Sequence, residues 1–182
     1  EATIENHEKN EGYFLNQQQK AGVVMALTQR FSLLTGGAGV GKTTVLKAIT
    51  GHLKERAICM ALTGQAARRM RQATGHSATT IEKFIRSIAP TLQKDSDPLI
   101  IVDEASMLDL QLTVRLLKCL PMHYRLLLVG DPEQLPPIGF GLIMHRLVNC
   151  PNVPKTQLTE ILRQKNATGI PQASERIRAG TA

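Results

Sequence analysis

Apolar residues along this chain fall into two rhythms. Short runs dominated by aliphatic side chains recur at Phe31–Thr35, Ala57–Leu62, Leu99–Val102 and Tyr124–Val129. Such runs are too short for buried helices and read as strands covered on both faces. Between them the apolar positions return every three or four residues. Val45, Leu46, Ile49 and Leu53 mark a helix over Lys42–Leu53. Helices are predicted likewise over Gln17–Thr28, Gln65–Gln72, Asp109–Cys119 and Gly141–Val148, with a short one over Thr80–Ile88. Pro90–Pro98 reads as a polar loop and Lys155–Leu158 as a last strand. Strands alternating with helices predict an α/β fold, a doubly wound and mostly parallel sheet in three layers.

The two ends lie outside this rhythm. Residues 1–14 are polar, lack a clear period and read as a tail or linker, leaving 15–182 as one domain. Glu175–Gly180 reads as a helix after which the chain stops, the pattern of a piece of a larger polypeptide.

Composition narrows the picture. Aromatic residues make up 3% of the chain and Trp is absent, so a core for the 42% of hydrophobic residues must be aliphatic, as suits a parallel sheet under helices. A formal net charge of +7 favours a polyanionic partner, nucleic acid foremost, although a generally basic surface gives the same number. Cys59, Cys119 and Cys150 stand far apart without metal-ligand spacing and read as reduced thiols of a cytoplasmic protein. No apolar run approaches the about 18 residues that a membrane helix needs, and no secretory signal is visible at the start.

Chemistry enters between the first strand and the helix after it. Gly36, Gly41, Lys42 and Thr43 satisfy the phosphate-loop pattern G-x-x-x-x-G-K-[ST], in the strand–turn–helix setting that this pattern requires. A backbone that wraps a polyphosphate must turn its N–H groups inward, and side chains would block the approach. Gly36, Gly37, Ala38, Gly39, Val40, Gly41, Lys42, Thr43 and Thr44 are therefore expected to cradle ATP. Lys42 is expected at the β- and γ-phosphates, and the Thr43 hydroxyl on Mg²⁺.

Two further segments end predicted strands. Asp103 and Glu104 follow Leu99–Val102; Asp103 would hold Mg²⁺ and Glu104 would orient and deprotonate the attacking water. A solvated acidic turn is the plain alternative for the pair alone. Gly130-Asp131-Pro132-Glu133-Gln134-Leu135-Pro136 follows the next strand, and Gln134 offers an uncharged amide able to sense the γ-phosphate. A Gly/Pro-rich turn describes much of that segment equally well.

Taken in order, these segments resemble motifs I, II and III of superfamily 1 DNA helicases, specifically the first RecA-like motor domain of the RecD/TraA-like branch. Leu15–Gln19 resembles the family's Q-motif, which implies that Gln19 reads adenine. Ala61–Ala67 resembles motif Ia and Ser77–Ile81 the following Thr-Ile motif, which implies contacts from Thr63, Gly64, Gln65 and Thr80 to single-stranded DNA. Leu158–Gln164 resembles motif IV, which implies that Arg163 reaches the γ-phosphate. Gln65 stands where relatives usually carry a basic residue, and Glu82 where they often carry His. Each change removes positive charge near the expected DNA path. Arg68, Arg69 and Arg71 just downstream either supply phosphate contacts or form a solvated helix face.

The resemblance implies ATP and Mg²⁺ as cofactors, single-stranded DNA as partner, and a second RecA-like domain closing the nucleotide cleft. It also implies 5′–3′ translocation and unwinding in recombination or repair, with a recombination nuclease's other subunits as further partners. This chain would supply one half of the cleft. It is expected to bind ATP–Mg²⁺ weakly, to hydrolyse it slowly and not to unwind DNA alone. The competing readings are a nucleotide-dependent DNA- or partner-binding clamp that does not translocate, and the helicase part of a conjugative relaxase.

Overall fold

The computed structural model describes residues 14–93 and 97–160. The expected tail up to residue 13, the predicted Glu175–Gly180 helix and Arg163 lie outside the described residues.

Helix α1 spans Gln17–Thr28, β1 Phe31–Gly36, α2 Lys42–Leu53, β2 Ala57–Ala61, α3 Gly64–Thr74 and β3 Ala78–Thr80. A short helix α4, Ile81–Lys83, widens into a π-turn at Phe84–Ile88; then follow β4 Leu99–Asp103, α5 Leu110–Lys118, β5 Arg125–Gly130, α6 Ile143–Val148 and β6 Lys155–Leu158. The six strands form one sheet in the order β3-β2-β4-β5-β1-β6, and every described pair is parallel.

Strand parity explains the three layers. Leu34, Ile101, Leu127 and Val129 point to one face and pack with Val23 and Ala26 of α1, Val45, Leu46 and Ile49 of α2 and Met70 of α3. Their neighbours Leu33, Ile100, Val102, Leu126 and Leu128 point to the other face and meet Ile81, Phe84, Leu116 and Met144. A continuous apolar run is thus what a strand needs when helices cover both of its sides.

Sequence expectation and structure differ at element ends and at one strand. β3 was not expected; the short helix expected at Thr80–Ile88 is preceded by Ala78–Thr80 pairing with β2. Its burial is intermediate at all three residues, so it lacks the apolar run that marks a central strand. The α3 helix is longer than its apolar period, because Thr63 caps its start and Gly75, left-handed at φ 70°, ends it.

Candidate nucleotide-binding site

The sheet aims its chemistry at one edge. β1, β2, β4 and β5 run in the same direction, so the turns after Gly36, Ala61, Asp103 and Gly130 all leave the carboxyl edge, where ligands of open α/β sheets bind.

The phosphate loop leaves β1 at Gly36. Gly39 (φ 83°) and Gly41 (φ 89°) hold left-handed backbone that side chains resist, and Gly41 is the N-cap of α2. Lys42 Nζ donates to the carbonyls of Gly36 and, at 2.7 Å, Gly37, so the ammonium lies along the loop itself. Thr43 is exposed in the first turn of α2, at the positive end of the helix.

Asp103 ends β4. Its Oδ1 accepts the Glu104 N–H at 2.9 Å. Burial raises its pKa, while that hydrogen bond and the charge of Lys42 pull it back down. Glu104 is half-buried and takes left-handed backbone at φ 57°, a conformation that non-glycine residues adopt at a cost and that concentrates at functional sites. Its pKa is raised by burial and then by the Asp103 charge, against a lowering effect from Arg69. The Cys59 thiol, buried on the neighbouring strand, is pushed up to about 12 by burial and by Asp103, which leaves it protonated and inert.

Beyond β5, Asp131 is buried and its Oδ1 accepts the Glu133 N–H at 3.1 Å. Gln134 is exposed, with Nε2 3.4 Å from Asp131 Oδ2. Asp131 therefore orders the turn that presents Gln134.

Gln19 is fully buried. Its Oε1 accepts the Asn16 N–H at 3.0 Å while its own N–H reaches Asn16 Oδ1 at 2.8 Å, a reciprocal cap on α1. Its Nε2 lies 3.5 Å from the Gly41 carbonyl, which puts the start of α1 against the phosphate loop. The expected DNA contacts gather at a second stretch of the same edge. Thr63 caps α3 through the Ala66 N–H at 3.1 Å, and Gly64, Gln65 and Arg68 are exposed on its first turns. Thr80 lies on the adjacent strand, in register with Ala61, and its hydroxyl accepts the Lys83 N–H at 3.2 Å.

Three features escaped the sequence reading. Glu82 meets Arg115 in a two-pronged pair at 2.6 and 2.8 Å; the guanidinium holds Glu82 below the usual carboxylate range. The two residues lie 33 positions apart, so no local spacing announces them. The Ser106 hydroxyl, just after the acidic pair, is buried without a partner. Asn16 and Gln18 bond to Glu160 and Thr159; the Asn-x-x-Gln capping spacing was the only local signal.

Among the described residues no cluster of three or more His, Cys, Asp or Glu side chains forms a metal cage. A magnesium site of the phosphate-loop kind needs none, since such ions use one or two protein oxygens plus phosphates and water. Exposed Thr43 and the Asp103 carboxylate, whose pKa the Lys42 charge lowers, both lie at the carboxyl edge and supply the one or two oxygens required.

Comparison with known proteins agrees with this geometry. The AAA domain family matches residues 14–182. The ATP-dependent RecD2 DNA helicase of Deinococcus radiodurans is 34% identical over 177 residues, covering 92% of this chain and 24% of that protein. The RecBCD enzyme subunit RecD of Mycolicibacterium smegmatis is 31% identical over 166 residues, covering 72% of this chain and 30% of that protein. Among solved structures, Pif1 helicase from Bacteroides in complex with ADP-AlF3 and ssDNA superposes with a TM-score of 0.65 at 20% identity, over 93% of this chain and 47% of that one. The fold is accordingly that of RecA-like phosphate-loop NTPases, and the chain spans less than a third of the length of these two relatives. The chain belongs to the AAA domain family, and most of it is similar to a part of the RecD2 and RecD proteins named above.

Proposed function

We propose that this chain is the ATP-binding and ATP-hydrolysing motor domain of a 5′–3′ DNA helicase, coupling hydrolysis to movement along single-stranded DNA and to unwinding in recombination or repair. The observation that carries the reading is the shared origin of the phosphate loop and the acidic pair: both leave the same edge of the parallel sheet, and the Lys42 charge lowers the Asp103 pKa. In this reading residues 36–44 wrap the phosphates through their N–H groups. Lys42 exchanges the carbonyls of Gly36 and Gly37 for phosphate oxygens. Thr43 and Asp103 would hold Mg²⁺, which would neutralise charge developing on the phosphates.

Glu104 takes the proton from the attacking water. Its raised pKa makes it a stronger base than an ordinary surface carboxylate. Gln134 senses the γ-phosphate from the turn that Asp131 orders, and Arg163 reaches the same group. Gln19, buried beside Gly41, serves the adenine end. A single-stranded DNA backbone runs past Thr63, Gly64, Gln65, Arg68 and Thr80, where the α3 N-terminus adds positive potential.

A second RecA-like domain completes the cleft and supplies a further cation to the phosphates, in a cytoplasmic protein that in some settings joins other subunits of a recombination nuclease. No helix among the described residues is long and apolar enough to cross a membrane. DNA-stimulated ATP hydrolysis by the full-length parent tests the reading. Loss of that activity in Glu104→Gln supports a motor; DNA binding with unstimulated hydrolysis points instead to a clamp.

A further inference from the structure

Residues 131–142 connect β5 to α6 and carry Gln134. Leu135, Ile138 and Phe140 in this segment are exposed, so apolar burial does not fix its course. Contacts at its two ends do. At the first end, the Gln134 N–H donates to the Asp131 carbonyl at 3.0 Å, beside the Asp131 side chain that holds the turn.

The second end sits on α5. Asp109 is the N-cap of that helix, its Oδ1 accepting the Leu112 N–H at 2.7 Å. The Leu110 N–H, a first-turn donor that the helix cannot use internally, donates to the Phe140 carbonyl at 2.8 Å. Side chains on either side of Phe140 would force the loop off this seat. A Cβ on Gly139 would stand 2.8 Å from both Cβ and Cγ of Asp109. A Cβ on Gly141 would stand 2.8 Å from Leu110 Cβ, and Gly141 holds left-handed backbone at φ 105°.

The link between the two ends is stiff. Pro136 and Pro137 lie between Gln134 and Gly139, and each ring locks φ near about −65°. A shift at Gly139 is therefore passed on to Gln134 rather than absorbed. The seat also belongs to the acidic segment, because the short turn Ala105–Met107 joins Glu104 to the start of α5.

We propose that Gly139 is a positioning residue: its close approach to Asp109 seats the β5–α6 loop on α5 and so sets where the Gln134 amide stands relative to the γ-phosphate. The proposal rests on the ATPase reading above, with Gln134 at that phosphate. Asp131 holds the near end of the link and the N-terminus of α5 the far end. Gln134 is thereby placed against the segment that carries Asp103 and Glu104.

The test measures the ratio of ATP to ADP affinity in this chain, with Mg²⁺ present, for Gly139→Ala, Gln134→Ala and the double variant, alongside the midpoint of thermal unfolding. Gly139→Ala is expected to lower the ratio by about threefold to tenfold, the equivalent of one lost hydrogen bond, with ADP affinity and the midpoint close to wild type. In the Gln134→Ala background it is expected to add nothing, because the amide it positions is gone. Asp109→Gly empties the space that the new methyl group would enter and leaves a usable N-cap, so it is expected to restore part of the ratio to Gly139→Ala. A lower midpoint with an unchanged ratio in Gly139→Ala would assign the seat a purely structural role and overturn the proposal. Full additivity with Gln134→Ala would overturn it too. An unchanged ratio in Gln134→Ala would remove the γ-phosphate role of Gln134 and the proposal with it, whereas a lowered ratio there beside a normal one in Gly139→Ala removes the positioning role alone.

Discussion

The charge of Lys42 acts on the carboxylate of Asp103, although β5 separates the strands that deliver them. Lys42 follows β1 and Asp103 closes β4. Burial drives Asp103 towards its neutral form; the Glu104 N–H and the Lys42 ammonium work against it. In the proposed reading, a bound phosphate and magnesium ion would take over the task of balancing charge there.

That balance has a stability consequence with a definite sign. A carboxylate whose folded pKa is raised favours the fold at low pH, and this contribution is lost as pH rises through the folded value. Above that raised folded value, ionised Asp103 is therefore a liability. Asp103→Asn is expected to raise the unfolding midpoint at pH 7, at roughly 2–4 °C per kcal/mol for a domain of this size. The advantage should shrink on acidification towards pH 4, and Mg²⁺-dependent ATP hydrolysis should be lost. Unfolding scans at the two pH values, paired with an ATPase assay, check both halves.

Glu104→Gln separates binding from chemistry. General-base catalysis contributes about 10²–10⁴ in rate, so hydrolysis should fall by that order while ATP affinity stays within about twofold. Single-turnover hydrolysis in the full-length parent, read beside equilibrium ATP binding, gives both numbers. A comparable loss of affinity would place Glu104 in the binding machinery instead.

The resemblance to helicase motifs was legible because it sits in local spacing. Gly36, Gly41, Lys42 and Thr43 lie within eight consecutive residues, and the Leu99–Val102 run announces the strand that carries Asp103. The sheet was legible for the same reason, since four strands carry enough apolar residues to face helices on both sides. β3 was not, because its three half-buried residues carry no such signature. Contacts closed across the fold were equally silent: Glu82 with Arg115, and Gln18 with Thr159, depend on which helices the topology sets side by side. Gln19 shows the limit of motif reading, since its amide also caps a helix and meets the loop.

The Glu82–Arg115 pair changes the charge picture near the expected DNA path. Glu82 removes a positive position there and also occupies Arg115. Glu82→Ala should free Arg115, tighten binding of single-stranded DNA and steepen its dependence on salt. One added phosphate contact corresponds to a slope change of about 0.7 in log affinity against log salt. Fluorescence titrations with a labelled oligonucleotide at several salt concentrations measure it; an unchanged slope would mean that the strand does not pass Arg115.

The isolated chain should hydrolyse ATP slowly whatever its affinity. A cation supplied by another domain is worth about 10³–10⁵ in rate to phosphoryl transfer. Adding single-stranded DNA to these 182 residues should not bring turnover to the level of a two-domain motor. Steady hydrolysis at that level from the purified chain would show that the cleft is complete without a second domain.

Calorimetric titration of ATP–Mg²⁺ into the wild-type chain and into Lys42→Ala decides whether a triphosphate docks where β1 meets α2. Loss of an ammonium-to-phosphate contact, about 1.5–3 kcal/mol for a charged hydrogen bond, should weaken binding by roughly 10- to 150-fold with the fold intact by circular dichroism. Equal affinity in the two proteins would contradict the site itself, and with it the roles given to Asp103 and Glu104.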